Sequence, residues 1–395
     1  MHQGLTAFKS FIFTIFDLMK IAVNTRLLLK DKLEGIGWFT YETLSRIAKN
    51  HPEHEFIFIF DRPFHKEFIF SSNVHPVVAG PPARHPFLFL IWFEFVVPNI
   101  LKKYKADIFL SPDGYLSLST KTPSVNVIHD LNFEHYPKDL RFFSRNYYKL
   151  MFPVFARKSC RIVTVSNYSA KDIANQYKIN KNKIDVAYNG ANDIFTPSDS
   201  DEQEQSIQEF TSGKPYLLYV GALNPRKNII NMLKAFDHYK KERPEDDIKL
   251  LVVGEKMWWN KAMDKTFRQM EYNDEVIFSG RMSPRQLRRA YGAAEALLYV
   301  SYFEGFGIPI IEAYRCHVPV ITSNVTSMPE IAGDGALLVN PFDYKDISGA
   351  INRLRQEFDL KEQLIKAGAE RANTFSWDKT ASLLWDSIQK AIKQC

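Results

Sequence analysis

The stretch "EALLYVSYFEGFGIPIIEAYRC", residues 295–316, changes character twice. Its first seven residues are mostly apolar and β-prone, as in a strand buried on both faces. The middle, "YFEGFG", holds two glycines and an acid, and Pro309 then fits the first turn of a helix. Strand, short loop and helix form the repeating unit of a parallel sheet covered by helices. The same stretch carries Glu304 in the loop and Glu312 one turn inside the helix. The amides of Phe306, Gly307 and Ile308 are expected at the helix N-terminus, where free N–H groups and the helix dipole favour an anion. Glu312 leans back toward that end. Acids repel phosphate, so the pair is expected to grip hydroxyls on either side of it.

Outward from this unit the pattern repeats. "PYLLYVGAL" (215–223), "IKLLVVGE" (248–255), "EVIFSG" (275–280), "VPVITSN" (318–324) and "GALLVN" (335–340) read as further strands of one series. An earlier series comprises "KIAVNT" (20–25), "EFIFIF" (55–60), "DIFLSP" (107–112), "SVNVIHD" (124–130) and "CRIVTVS" (160–166). Between them lies "NGANDIFTPSDSDEQEQS" (189–206), polar, acidic and turn-forming. The fold class is α/β, with two doubly wound, Rossmann-like domains facing across a cleft and ligands at the carboxyl ends of the strands. The expected boundaries are 19–190 and 191–377, with the final helix, 378–395, packing back on the first domain.

Residues 1–18, "MHQGLTAFKSFIFTIFDL", have a short apolar stretch and no small-residue cleavage site. They read as an extension before a start at Met19, or as an interfacial anchor. "FLFLIWFEFVVPNIL" (87–101) is too short to span a bilayer and reads as a buried or interfacial helix. Cys160, Cys316 and Cys395 show no metal-ligand or disulfide spacing, which points to a reducing cytosol.

Charge is uneven. Residues 1–190 hold 25 Lys/Arg against 16 Asp/Glu, whereas 191–395 hold 26 against 29. The excess includes "PKDLRFFSRNYYKLMFPVFARKSCR" (137–161), where seven basic residues and many aromatics accompany one acid. An amphipathic surface helix accounts for the pattern; a membrane surface or an anionic, lipid-linked substrate suits it as well. No nucleic-acid-binding module accompanies the charge.

Further candidate residues sit at strand ends. Gly35 and Gly37 precede a helical pattern and would let amides approach an anion. In "YVGALNPRKNIINMLKAF" (219–236), Gly221 ends the strand, and Arg226 and Lys227 are placed for a diphosphate, one by a bidentate fork and one by a point charge. His129 can donate to a sugar hydroxyl, with Asp130 fixing its tautomer. No P-loop and no dinucleotide fingerprint is present.

This combination resembles the large retaining glycosyltransferase family of GT-B fold, family 4. The E-x7-E element corresponds to Glu304 and Glu312, the diphosphate-binding pair to Arg226 and Lys227, the glycine-rich loop to Gly35–Gly37, and the acceptor-side histidine to His129. "VTVSNYSAKDI", "VAYNGANDIF" and the helix after Trp377 are also similar. The resemblance implies a nucleotide-diphosphate sugar as co-substrate, with Glu312 on the ribose and Glu304 on the sugar. It places the Phe306, Gly307 and Ile308 amides on sugar and phosphate, and Gly254 and Met282 beside the base. It implies no metal and no resident cofactor, and retention through a front-face mechanism. Mannose from GDP-mannose is the expected donor, with a saccharide or lipid-linked acceptor in polysaccharide or lipopolysaccharide synthesis. A UDP-sugar-dependent transferase and a sugar-nucleotide epimerase of the same fold are the alternatives. The expected location is the cytoplasm, peripheral to the inner face of the membrane.

Overall fold

The apolar runs form two parallel sheets in the computed structural model, which describes residues 18–83, 85–140 and 142–395. The expectations for residues 1–17 lie outside the described residues. In the first sheet, β1 (Lys20–Asn24), β2 (Glu55–Phe60), β3 (Val74–Val78), β4 (Ile108–Ser111), β5 (Ser124–Val127), β6 (Arg161–Thr164) and β7 (Ile184–Val186) stand in the order β3-β2-β1-β4-β5-β6-β7. In the second, β8 (Tyr216–Val220), β9 (Lys249–Val253), β10 (Val276–Gly280), β11 (Ala296–Tyr299), β12 (Val320–Ser323) and β13 (Ala336–Val339) stand in the order β10-β9-β8-β11-β12-β13. Chain order therefore reverses between β1 and β4 and again between β8 and β11, which opens one crevice above each sheet. Central strands such as β8 and β11 are buried along their whole length. The edge strands β3 and β7 escape sequence reading because one is interrupted by Pro76 and largely exposed, and the other has three residues.

The run 87–101 is helical in three pieces: Pro86–Ile91, a wider π turn over Trp92–Val96, and Val97–Tyr104. Pro98 has no N–H to give, and the wider turn just before it accommodates that loss. Trp92, Phe93 and Val97 enter the core, whereas Phe87 and Phe95 are each 64% exposed. Residues Phe142–Lys158 form one helix that buries Phe152, Phe155 and Ala156 and leaves Phe142, Phe143 and Leu150 exposed. Among the described residues, no helix is long and apolar enough to cross a membrane.

The last helix, Trp377–Gln394, is capped by Ser376 and packs against Gly35–Asn50 and the first sheet. Trp385 lies flat on His51, ring centres 3.8 Å apart, and Ser387 and Lys390 both donate to Asp185. Here the reading of the cysteines is corrected. Cys160 and Cys395, 235 positions apart, are disulfide-bonded because this helix delivers the chain terminus to the start of β6. Cys316 is buried and unbonded.

Candidate active site

Both polar clusters of interest form at the switch points. Beyond β8 the chain makes a tight turn, Pro225–Lys227, whose Lys227 amide donates to the Asn224 side chain. Asn228 then ties this turn to the end of β11 through Val300 O. Beyond β11, Glu304 comes back over the same turn. Arg226 donates to Glu304 Oε2 at 2.8 Å and to Phe303 O at 3.2 Å, while Lys227 Nζ lies 2.6 Å from Oε1. The lysine also meets the Tyr299 hydroxyl. Both carboxylate oxygens of this buried acid are thus paired with a cation.

Burial acts to raise the Glu304 carboxyl, but the charges of Arg226 and Lys227 outweigh it and hold the group at about 2. Burial brings the Lys227 ammonium down to about 8 against the pull of Glu304. Glu304, and at longer range Asp130, balance the two cations, whose N–H groups are suited to a phosphate group.

Glu312 has a different environment. Its side chain leans back along the helix Ile308–Arg315 and accepts from the Tyr291 hydroxyl at 2.8 Å. With no cation beside it, burial pushes its carboxyl up to about 7. Gly307, at φ 102°, starts that helix, so the amides of Phe306, Gly307 and Ile308 stand before its first internal bond. Ser327 Oγ holds this loop by donating to Glu304 O at 2.9 Å and Phe306 O at 3.3 Å. Gly221, Gly254 and Met282 gather at the ends of β8, β9 and β10. A Cβ on Gly254 would stand 2.0 Å from Gly221 O, so the two loops can abut only with glycine there.

On the facing domain, Gly35 and Gly37 open the helix Gly35–Asn50, which has no side-chain cap. Gly37 packs under the loop after β1, while Gly35 is exposed, with open space where a Cβ would stand. His129, beyond β5, donates from Nε2 to Pro112 O at 2.8 Å and meets Phe39 edge-on. Burial lowers its pKa, so the ring is neutral and Nδ1 is left as an acceptor. This corrects two expectations. Pro112, rather than Asp130, sets the tautomer, and the neutral ring offers an acceptor where a donor was expected; Asp130 instead accepts from the Asn132 amide.

The two domains bring these groups together at Gly305. A Cβ there would lie 2.4 Å from His129 O and 2.9 Å from Asp130 Cβ. Tyr302 donates to Asp139 across the same cleft at 2.6 Å. The partners Tyr291, Tyr299 and Tyr302 were missed in sequence, since a tyrosine carries no local sign of what its hydroxyl will meet.

Residues 200–371 match the family described as Glycosyl transferases group 1, and residues 33–195 match Glycosyltransferase Family 4. The chain belongs to the family 4 glycosyltransferases. This glycosyltransferase is 28% identical over 368 residues to O-antigen chain mannosyltransferase B of Escherichia coli, which covers 89% of this chain and 94% of that one. It is 32% identical over 230 residues to O-antigen chain mannosyltransferase RfbU of Salmonella typhimurium, across 58% and 60% of the two chains. WaaG, a glycosyltransferase involved in lipopolysaccharide biosynthesis, shares the GT-B fold, with a TM-score of 0.73 at 15% identity over 93% of this chain and 98% of that one. The enzyme is a hexosyltransferase, and the epimerase alternative is set aside.

Proposed function

We propose that this glycosyltransferase moves mannose from GDP-mannose to a saccharide or lipid-linked saccharide in O-antigen or related polysaccharide synthesis, with retention at the anomeric carbon. The mannosyltransferase relatives support the sugar and the product class. The observation that carries the site reading is Glu304 held between Arg226 and Lys227 at the switch point of the second sheet. In this reading the diphosphate takes the two cations and the Phe306–Ile308 amides, and Gly35–Gly37 amides approach it from the other domain. Glu304 then turns to the hexose hydroxyls and Glu312 holds the ribose. Gly221, Gly254 and Met282 line the base.

The bond from the anomeric carbon to the phosphate oxygen breaks as the acceptor oxygen bonds the same face of the sugar. The acceptor proton passes to the departing phosphate oxygen, and His129 Nδ1 accepts from a hydroxyl nearby. Arg226 and Lys227 stabilise the charge that develops on the diphosphate, so the reaction takes no resident metal or cofactor. The exposed Phe87, Phe95, Phe142, Phe143 and Leu150, with Lys138, Arg145 and Lys149 nearby in sequence, support peripheral contact with the anionic inner face of a cytoplasmic membrane.

The test is a thermal-shift panel of GDP-, UDP- and ADP-sugars followed by product analysis with the bound donor. Stabilisation by GDP-mannose above the others is expected. A preference for a UDP-sugar would replace the donor assignment, and an inverted product would remove the front-face mechanism.

A further inference from the structure

Glu330 belongs to the donor-side domain, in the short helix Met328–Ala332, yet both of its carboxylate oxygens are spent on the other domain. Oε1 accepts from the Asn167 amide at 2.7 Å and from the Tyr188 hydroxyl at 2.7 Å, and Oε2 accepts from the Tyr168 amide at 2.9 Å. Those amides open the helix Asn167–Tyr177, whose own cap, Ser166, reaches only the Ser169 amide. The carboxylate thus completes the start of a helix it does not belong to, where dipole and unpaired N–H groups favour negative charge.

The contact adjoins the sugar loop on both sides. Ser327, three residues before Glu330, holds Glu304 O and Phe306 O. Ser169, in the capped helix, reaches Gly305 O at 3.5 Å. From behind, Arg371 fixes the backbone of Glu330 and Ile331. We propose that Glu330 is a positioning residue: an interdomain clasp that holds the acceptor-side domain closed against the 304–306 loop. It acts through the helix it caps and touches no reacting atom. The catalytic consequence rests on the transferase reading above; the closure itself does not.

The experiment compares full-length wild type with Glu330→Gln, Glu330→Ala and the milder Tyr188→Phe by small-angle scattering, by calorimetry with GDP and UDP, and by turnover. Loss of charged hydrogen bonds is expected to lower kcat about tenfold or more in Glu330→Ala, with Glu330→Gln intermediate. The radius of gyration should grow in the same order, while nucleotide affinity stays within about twofold, since all of the proposed nucleotide contacts except the Gly35–Gly37 amides lie in the donor-side domain. Scattering from Glu330→Ala that superimposes on wild type would overturn the clasp. So would nucleotide affinity falling in step with kcat, because the residue would then be a prop of the donor loop. If wild type binds neither nucleotide, the transferase donor reading fails, and the scattering series still decides closure.

Discussion

Arg226 and Glu304 meet at 2.8 Å across the switch point of the second sheet, one from the turn after β8 and the other from the loop after β11. Neither is near the other in sequence, and each is the main ionic partner the fold provides. The pair explains how a buried acid stays ionised: Arg226 and Lys227 outweigh the cost of its burial.

Glu304→Gln should therefore separate binding from transfer. The amide keeps the shape but loses the charge, so Arg226 and Lys227 are left under-compensated and the unliganded protein should lose about 2 kcal/mol. Turnover should fall roughly 100-fold or more, whereas affinity for the free nucleoside diphosphate should hold or improve. Calorimetry beside initial rates checks this; equal losses in both would remove Glu304 from the sugar.

The pH dependence of nucleoside diphosphate binding follows from two groups. Glu312, pushed up to about 7 by burial, is ionised and best able to accept from ribose hydroxyls above that value. Lys227, brought down to about 8 by burial, is charged below it. Affinity should rise through about 7 and fall through about 8. Glu312→Gln should lose the acid limb and Lys227→Arg the alkaline one. A flat profile between pH 6 and 9 would count against both assignments.

Glu312 has a matching effect on stability, of opposite sign to its use. A carboxyl raised on folding binds its proton more tightly in the native state, so stability is present below the ordinary glutamate range and is lost as pH rises through about 7. The residue is only partly shielded from solvent, which reduces the effect to about 1–2 kcal/mol. Glu312→Gln keeps a partner for Tyr291 and should melt higher than wild type at pH 8, with little difference at pH 5. Melting curves at the two pH values decide it.

Gly305→Ala places a methyl against two backbone-anchored atoms of the facing domain, His129 O and Asp130 Cβ. The domains must separate by the order of an ångström, which should cost about 100-fold in turnover with nucleotide binding preserved. Near-normal transfer would show that the two loops need not meet during catalysis.

The strand-loop-helix units were legible because buried parallel strands write themselves as continuous apolar runs, as in Tyr216–Val220 and Ala296–Tyr299. The positions of Arg226, Lys227, Glu304 and Glu312 could be read for the same reason, since each follows a recognisable strand end. What they would touch could not. Arg226–Glu304, Tyr291–Glu312 and Glu330 with the Asn167 amide join residues at least 21 positions apart, and such pairs depend on which strands are neighbours and how the domains close. His129 is the instructive failure: the adjacent Asp130 looked like its partner, but a carbonyl 17 positions earlier lay on the neighbouring strand's exit. The disulfide was hidden likewise, because only the return of the last helix brings Cys395 to Cys160.

That last helix also bears on how the enzyme can be recombined. The second sheet, β8 to β13, is laid down by one uninterrupted segment, whereas the first needs Trp377–Gln394 to cover the helix Gly35–Asn50. A donor-specificity exchange is thus best built as an internal cassette with both junctions before Trp377 and the helix Trp377–Gln394 retained. A graft that runs through to the foreign C-terminus would replace Trp385, Ser387 and Lys390, take the stacked indole from His51 and leave Asp185 with Arg161 alone.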